Sequence, residues 1–145
     1  MLYGLDTNIL CYLLDPAFPE HRRVSGLLRS LSPELNVAIN PTVLHESYHT
    51  LVYYQKWTRD DAKSRLRLIL NNRHIKFYNQ TKSVSVIALN LAGRYQLGGR
   101  DSLILANFLG NHVTEVYTHD SDLLKTASVS WMKAKMRLTD PVVAN

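Results

Sequence analysis

The chain has 145 residues, of which 46% are apolar and 20% charged, and its composition excludes a disordered polypeptide. No apolar run approaches the roughly 18 residues of a membrane-spanning helix, and "MLYGLDTNIL" does not resemble a secretory signal, so no membrane association is expected. With a single cysteine, Cys11, no internal disulfide is possible, which suits a reducing cytoplasm; the net charge of +5 favours a polyanionic partner.

The first half of the chain alternates between strand and helix patterns. Asn40-Pro41 is typical of a helix start, and Thr58 with Asp61 resembles a capping box. The predicted elements are a strand at 2–5, helices at 7–14 and 19–31, a strand at 36–39, and helices from 41 to about 54 and from 58 to about 71.

The second half continues the alternation. The predicted elements are a strand at 74–78, a helix from Thr81 to near Gly98-Gly99, a helix from about Asp101 to Gly110, a strand at 114–118, a short helix at 120–127 and a strand at 135–138. There is no repeat, linker or low-complexity tract, so we expect one domain over 1–145. The pattern predicts an α/β fold, a three-layer α/β/α sandwich whose central, mainly parallel sheet binds ligands at the carboxyl ends of its strands.

Carboxylates fall near those predicted strand ends. Asp6 ends the first strand, Glu46 lies in the second turn of the helix after 36–39, and Asp101, Asp120 and Asp122 lie near helix starts. Two carboxylates about 4 Å apart repel by roughly 4 kcal/mol at an effective dielectric of about 20, so a converging cluster needs a cation. All-oxygen ligands favour Mg²⁺ or Mn²⁺. The alternative is that each acid is a local helix cap.

A second pattern competes for Glu46. His45, Glu46 and His49 form H-E-x-x-H, the motif of zinc metallopeptidases. A catalytic zinc needs a third protein ligand, and the longer form of the motif would require glycine and histidine where Val52 and Gln55 stand. We therefore interpret the histidines as neighbours of Glu46 that could contact substrate.

Four segments together resemble the PIN-domain ribonucleases, and within them the VapC-like toxins of toxin–antitoxin pairs. They are "LDTNILCYLLD" (5–15), "NPTVLHE" (40–46), "GGRDSLILA" (98–106) and "YTHDSDLL" (117–124), in the order of the family's motifs. Each segment alone is a weak signal, whereas four in this order and spacing are specific.

The resemblance implies a PIN-like fold and metal-dependent cleavage of RNA. Carried over by residue, the catalytic and metal-binding acids are Asp6, Glu46, Asp101 and Asp120, with Asp122 as an auxiliary metal ligand and Asn8 and Thr118 as polar supports. The implied cofactor is Mg²⁺ or Mn²⁺. The implied partners are an RNA substrate, a small antitoxin protein and a second copy of the chain in a homodimer.

Basic and aromatic side chains are candidates for RNA binding. The basic candidates are Arg65, Arg67, Arg94 and Arg100, and the aromatic candidates for base stacking are Tyr12, Tyr53, Tyr54 and Trp57. The alternatives are a solvated helix face for the basic stretch 59–76, and the core or a dimer interface for the aromatic residues.

The leading hypothesis is a metal-dependent endoribonuclease that acts as a toxin. Other readings are a PIN-type nuclease of RNA processing, a zinc metallopeptidase, and an RNA-binding module without catalysis. A phosphatase with Asp6 as nucleophile would need an acid two residues later, where Asn8 stands.

Overall fold

The structure, a computed structural model, describes residues 1–143. One sheet contains β1 (Leu2–Leu5), β2 (Asn36–Ile39), β3 (Ile75–Phe77), β4 (Glu115–Tyr117), β5 (Ser128–Trp131) and β6 (Ala134–Thr139), in the order β3-β2-β1-β4-β6-β5. All neighbouring strands pair in parallel except β5, which is antiparallel to β6. The predicted α/β fold with a mainly parallel sheet is therefore confirmed.

Helices flank this sheet. They are α1 (Thr7–Leu14), α2 (His21–Val24), α3 (Gly26–Arg29), α4 (Pro41–His49), α5 (Arg59–Asn71), α6 (Lys82–Tyr95), α7 (Gly99–Gly110) and α8 (Ser121–Thr126), and a π-helical segment (Thr50–Tyr54) continues α4. The connections from β1 to β2 to β3 move across the sheet in one direction, and those from β3 back to β4 and on to β6 move in the other. Because such connections are right-handed, the helices of the two sets lie on opposite faces of the sheet. Within residues 1–143, none of the helices has the length and apolarity needed to cross a bilayer.

The predicted helix starts have the expected caps. The side chains of Asn40, Thr58 and Thr81 each accept a hydrogen bond from the amide three residues further on, at 3.0, 3.1 and 3.2 Å. These bonds satisfy amides that have no partner inside the helix, so the start of each helix is fixed by its own local sequence.

Two predicted helices differ from the structure. The helix expected over 19–31 is wrong in its extent, because the chain forms the two short helices α2 and α3 with a junction at Ser25. Gly26, a poor helix former, begins the second of them, and neither helix has a side-chain cap. The helix expected over 41–54 changes to π-helical geometry at Thr50.

The strand β5 was not predicted. It forms a hairpin with β6, and the connecting residues are Met132 and Lys133. Met132 has a φ of 54°, a left-handed conformation usually supplied by glycine or asparagine, so the turn carries no sequence signal. Within β5 only Val129 is fully buried, which leaves the strand pattern weak as well.

The centre of the sheet packs tightly against α7. A Cβ atom on Gly4 would lie 2.8 Å from a ring carbon of the buried Phe108, so only glycine allows β1 to approach this helix. The neighbouring strands β1 and β4 mark the point where the chain order of the sheet reverses. In open α/β sheets a crevice forms at the carboxyl ends of strands at such a point.

Candidate active site

Two acids lie at that crevice and are joined by one hydroxyl. Asp6 follows β1, and Asp120 lies three residues after β4. The hydroxyl of the buried Thr118 donates to Asp6 Oδ2 at 2.7 Å and accepts from the backbone N–H of Asp120 at 3.1 Å. Asp6 N also donates to the carbonyl of Tyr117 at 3.0 Å. The pairing of β1 with β4 thus fixes the separation of the two acids.

Both acids are also helix caps. Asp6 Oδ1 accepts from the N–H of Thr7 at 2.8 Å at the start of α1, and Asp120 Oδ1 accepts from the N–H groups of Asp122 and Leu123 at 2.9 and 3.1 Å at the start of α8. The local-cap interpretation is therefore correct for these two residues. It does not conflict with a shared site, because capping engages one oxygen of each carboxylate.

Glu46 reaches the same region from α4. Its Oε1 accepts from the hydroxyl of Thr7 at 2.7 Å, and its Oε2 lies 3.1 Å from Nη1 of Arg100. The Glu46 side chain is 23% exposed, whereas that of Arg100 is 82% exposed. Glu46 is thus held between α1 and the start of α7 rather than turned outward into solvent.

The four acids share one cavity of about 280 Å³. It is lined by Asp6, Thr7, Asn8, Cys11, Tyr12, Phe18, Glu46, Thr50, Asp101 and Asp120. Asp101, in the first turn of α7, and Glu46 contribute from helices, while Asp6 and Asp120 contribute from strand ends. The structure therefore brings together residues that are far apart in the chain.

Burial and, to a smaller extent, neighbouring charges raise the pKa values of two acids in this cavity. Burial raises the pKa of Asp6 to about 6, opposed by its hydrogen bonds from Thr118 and Thr7 and reinforced by the charges of Asp101 and Asp120. Burial also raises the pKa of Asp101, together with the charges of Asp120 and Glu46, against the cation of Arg100. The cavity thus has an excess of negative charge that an added cation would relieve.

The donor chemistry fits a hard divalent cation. All four acids offer carboxylate oxygens, the ligands preferred by Mg²⁺ and Mn²⁺. Among residues 1–143, no group of three or more His, Cys, Asp or Glu side chains is already arranged to hold a metal ion. Within these residues, the acids line one cavity without forming a finished ligand set.

Of the other predicted site residues, one lines the acid cavity and one lies outside it. Asn8 lines the cavity, and its Oδ1 lies 3.4 Å from the N–H of His119. Asp122 is exposed and does not line the cavity, although its charge contributes to the raised pKa of Asp101. Asp122 thus lies outside the cavity, and its role as an auxiliary metal ligand stays a prediction.

The predicted basic residues divide in the same way. Arg100 adjoins the acids through Glu46, whereas Arg65 and Arg67 are exposed on α5 and do not line the cavity. Arg94 donates to the carbonyl of Ser130 at 3.0 Å, and its guanidinium lies 5.4 Å from the ring centroid of Trp131. Arg94 therefore links α6 to β5, and the role of all four in RNA binding stays a prediction.

Several cavity residues were missed at the sequence level. Thr7 holds Glu46, and Thr50 and Phe18 line the wall. Nothing in the sequence separates these residues from ordinary helix and loop positions. Cys11 also lines the cavity, but burial raises the pKa of its thiol to about 11, so it is protonated at neutral pH and is a poor nucleophile.

The histidines of the H-E-x-x-H motif are exposed on α4. The ring of His49 lies against Tyr53 and Tyr54, with centroids 4.7 and 5.8 Å apart. The part of the chain that the structure describes supplies no third ligand arranged with His45 and His49 around a metal. The zinc-peptidase hypothesis therefore gains no support.

Several solved bacterial structures have a fold similar to that of this chain. VapC20 of Mycobacterium tuberculosis, a sarcin-ricin loop cleaving toxin, is similar with a TM-score of 0.72 and 17% identity, over 89% of this chain and 97% of that one. VapBC2 of Rickettsia felis, bound to a promoter DNA fragment, has a TM-score of 0.66 and 18% identity, over 86% of this chain and 92% of that one. FitAcB of Neisseria gonorrhoeae has a TM-score of 0.63 and 20% identity, over 99% of this chain and 100% of that one.

Sequence comparison supplies the family. No curated protein sequence matches the chain significantly. The sequence model of the PIN domain matches residues 3–129, which include all four acids of the cavity. The chain therefore belongs to the PIN-domain family of nucleases.

Proposed function

We propose that this protein is a metal-dependent endoribonuclease whose catalytic acids are Asp6, Glu46, Asp101 and Asp120. The observation that carries the proposal is that these four carboxylates line one cavity, beside Arg100, which contacts Glu46. Such a surplus of partly buried negative charge is unfavourable in itself, so it points to a cation in the working state.

In this proposal Mg²⁺ or Mn²⁺ is held by the four carboxylates, and when bound it supplies an activated water and stabilises the departing oxygen of a phosphodiester. The chain's own polar groups hold the acids ready. Thr118 and the amide of Thr7 orient Asp6, while the hydroxyl of Thr7 orients Glu46. Asn8, which lines the cavity, is the further polar support, and Asp122 adds negative charge from outside.

The choice of RNA as substrate rests on two supports. The net charge of +5 favours a polyanion, and the similar VapC20 of Mycobacterium tuberculosis is a toxin that cleaves the sarcin-ricin loop. Arg100 is the basic side chain best placed to contact a phosphate, because it lies beside the acids and is largely exposed. Arg65 and Arg67 on α5 are proposed as more distant contacts.

We further propose that the protein is the toxin of a toxin–antitoxin pair, acting in the cytoplasm as a homodimer and restrained by a small antitoxin. A toxin–antitoxin complex from Klebsiella pneumoniae with a similar fold, at a TM-score of 0.59 and 18% identity over 82% of this chain and 87% of that one, supports a partner of this kind. A nuclease of ordinary RNA processing is the alternative. An adjacent reading frame for a small protein that copurifies with this chain and blocks cleavage separates the two.

The test of the enzyme itself is cleavage of mixed single-stranded and structured RNA with Mg²⁺ or Mn²⁺. We expect cleavage by the wild-type protein, loss of cleavage in excess chelator, and loss in Asp101→Asn with an unchanged circular-dichroism spectrum. Asp60→Asn is the matched control, since Asp60 is an exposed acid on α5 outside the cavity. Cleavage in chelator, or full activity of Asp101→Asn, would contradict the proposal.

A further inference from the structure

A second groove adjoins the acid cavity. It has a volume of about 700 Å³ and is lined by Thr7, Thr42, His45, Glu46, His49, Thr50, Tyr54 and Arg100. Three residues, Thr7, Glu46 and Thr50, line both spaces. The groove is therefore continuous with the acids, and a polymer lying across the cavity would extend into it.

The groove differs from the cavity in chemistry. It has one acid, Glu46, which also faces the cavity, and that acid is already paired with Arg100 at 3.1 Å. Because the Arg100 side chain is 82% exposed, most of its donors are open to a ligand. Arginine donors suit phosphate oxygens, which they can bind in a bidentate manner.

Aromatic rings form the other part of the groove. Tyr54 is 71% exposed, an unusual exposure for a ring of its size, and it contacts the ring of His49 edge to face at 5.8 Å. The neighbouring Tyr53 is already engaged, since Arg59 lies 5.7 Å from its ring centroid and donates to its hydroxyl at 3.0 Å. Tyr54 thus retains open ring surface beside a cation.

A π-helical segment forms part of the wall of this groove. An ordinary α-helical turn has about 3.6 residues, and the π-helical turn that begins at Thr50 is wider. Its first residue, Thr50, lines both spaces, and its last, Tyr54, lines the groove. Single π turns inside α-helices occur frequently at functional sites.

We propose that this groove binds one unpaired nucleotide of a single-stranded RNA next to the cleaved phosphate, with the base stacked on Tyr54 and His49 and a phosphate on Arg100. The proposal rests on the nuclease function proposed above and adds the subsite that selects unpaired RNA. It also gives a role to His49 of the H-E-x-x-H motif, which the metal site does not use. A base in an A-form duplex cannot turn out to stack in this way.

The test measures binding of a short fluorescein-labelled single-stranded RNA by anisotropy, in chelator so that the proposed cleavage does not occur. We expect Tyr54→Ala to weaken binding by about 5- to 150-fold, the range for loss of one stacked base, and Tyr54→Phe to bind like the wild type. Arg100→Gln should reduce the slope of log affinity against log salt by about 0.7, whereas Tyr54→Ala should leave that slope unchanged.

Two matched controls lie outside the groove: Phe77→Ala removes another exposed ring, and Arg29→Gln removes another exposed cation. Both should bind RNA like the wild type. A blunt RNA duplex should bind equally to the wild type and to Tyr54→Ala, because it offers no base to stack.

Parallel cleavage assays with Mn²⁺ separate this inference from the proposed function. Cleavage by the wild type, with unchanged RNA affinity in Tyr54→Ala and His49→Ala, would overturn the groove and leave the nuclease intact. Tyr54-dependent RNA binding without metal-dependent cleavage would support the groove and contradict the nuclease.

Discussion

Helix α1 has a buried aspartate at each end, and the two have opposite surroundings. Asp6 at its start is 6% exposed, and Asp15 at its end is 5% exposed. Asp15 accepts hydrogen bonds from the side chains of Gln55 and Trp57, both at 3.0 Å, and from the N–H of Ala17 at 2.9 Å. Asp6 instead has the carboxylates of other residues around its cavity.

The difference separates a structural acid from an acid of the proposed site. Both side chains are buried, so burial alone does not distinguish them. Asp15 is surrounded by donors and ties the end of α1 to the chain around Trp57, which is a stabilising arrangement. Asp6 has two donors, but its pKa is raised to about 6 because burial and neighbouring acids outweigh them. A raised pKa among like charges in a cavity is typical of candidate functional sites.

The largest expected effect separates the two aspartates by activity. Asp6→Asn keeps the shape and the cap but removes a proposed metal ligand. Loss of a residue that only supports a ligand costs about 10- to 100-fold in activity, so we expect RNA cleavage to fall by more than about 100-fold. Asp15→Asn should retain wild-type activity per folded molecule. Equal losses in the two variants would show that the comparison has no functional meaning.

The pH dependence of stability should also differ. An unfolded aspartate has a pKa of about 3.9, and that of Asp6 in the folded protein is about 6, so the folded state binds the proton more tightly. Protonation of Asp6 therefore stabilises the folded state below about pH 4, and this stabilisation is lost as the pH rises through about 6. In metal-free buffer the loss lowers the free energy of unfolding by about 3 kcal/mol.

Asp6→Asn removes this dependence. Urea unfolding should therefore show the variant to be more stable than the wild type at pH 8, with the difference shrinking toward pH 4. A variant that is less stable than the wild type at pH 8 would show that the charge of Asp6 does not destabilise the folded protein.

Asp15 should matter for stability instead. Asp15→Ala leaves the partly buried donors of Gln55 and Trp57 without their acceptor, and we expect the free energy of unfolding to fall by about 1–3 kcal/mol. Urea denaturation at neutral pH measures this change. Unchanged stability would mean that solvent replaces the lost acceptor without cost.

The smallest expected effect concerns the zinc motif. His45 is exposed on α4 and is assigned no part in metal binding, so His45→Gln should change the rate of metal-dependent RNA cleavage by less than about threefold, as for a surface substitution of roughly 0.5 kcal/mol. Inductively coupled plasma analysis of the purified variant and wild type checks the metal content at the same time. Stoichiometric zinc that disappears in His45→Gln would revive the peptidase hypothesis.

The parts of this structure that could be predicted from sequence are those encoded locally. The caps at Asn40, Thr58 and Thr81 specify helix starts within a few residues of chain. The sequence does not specify the order of the strands in the sheet. The carboxyl ends of parallel strands nevertheless share one edge, so the convergence of Asp6 and Asp120 follows from the fold class alone. The position of Met132 in a left-handed turn has no such signal, and β5 was missed with it.

The contacts that finish the site could not be predicted, because they join distant parts of the chain. Thr7 meets Glu46 across 39 residues, and the donors of Asp15 lie 40 and 42 residues away. Arg94 resembled Arg100 in the sequence, yet packing directs it to Ser130 while Arg100 pairs with Glu46. Only the folded arrangement separates an arginine of the scaffold from one at the site.

Mn²⁺ binding followed by electron paramagnetic resonance, on the wild-type protein and on Asp101→Asn at neutral pH, tests the shared acid site most directly. We expect the wild type to deplete the free Mn²⁺ signal in proportion to protein, and Asp101→Asn to leave most of it free, with Asp60→Asn behaving like the wild type. Equal depletion by wild type and Asp101→Asn, or none by either, would contradict a divalent ion held by these four carboxylates.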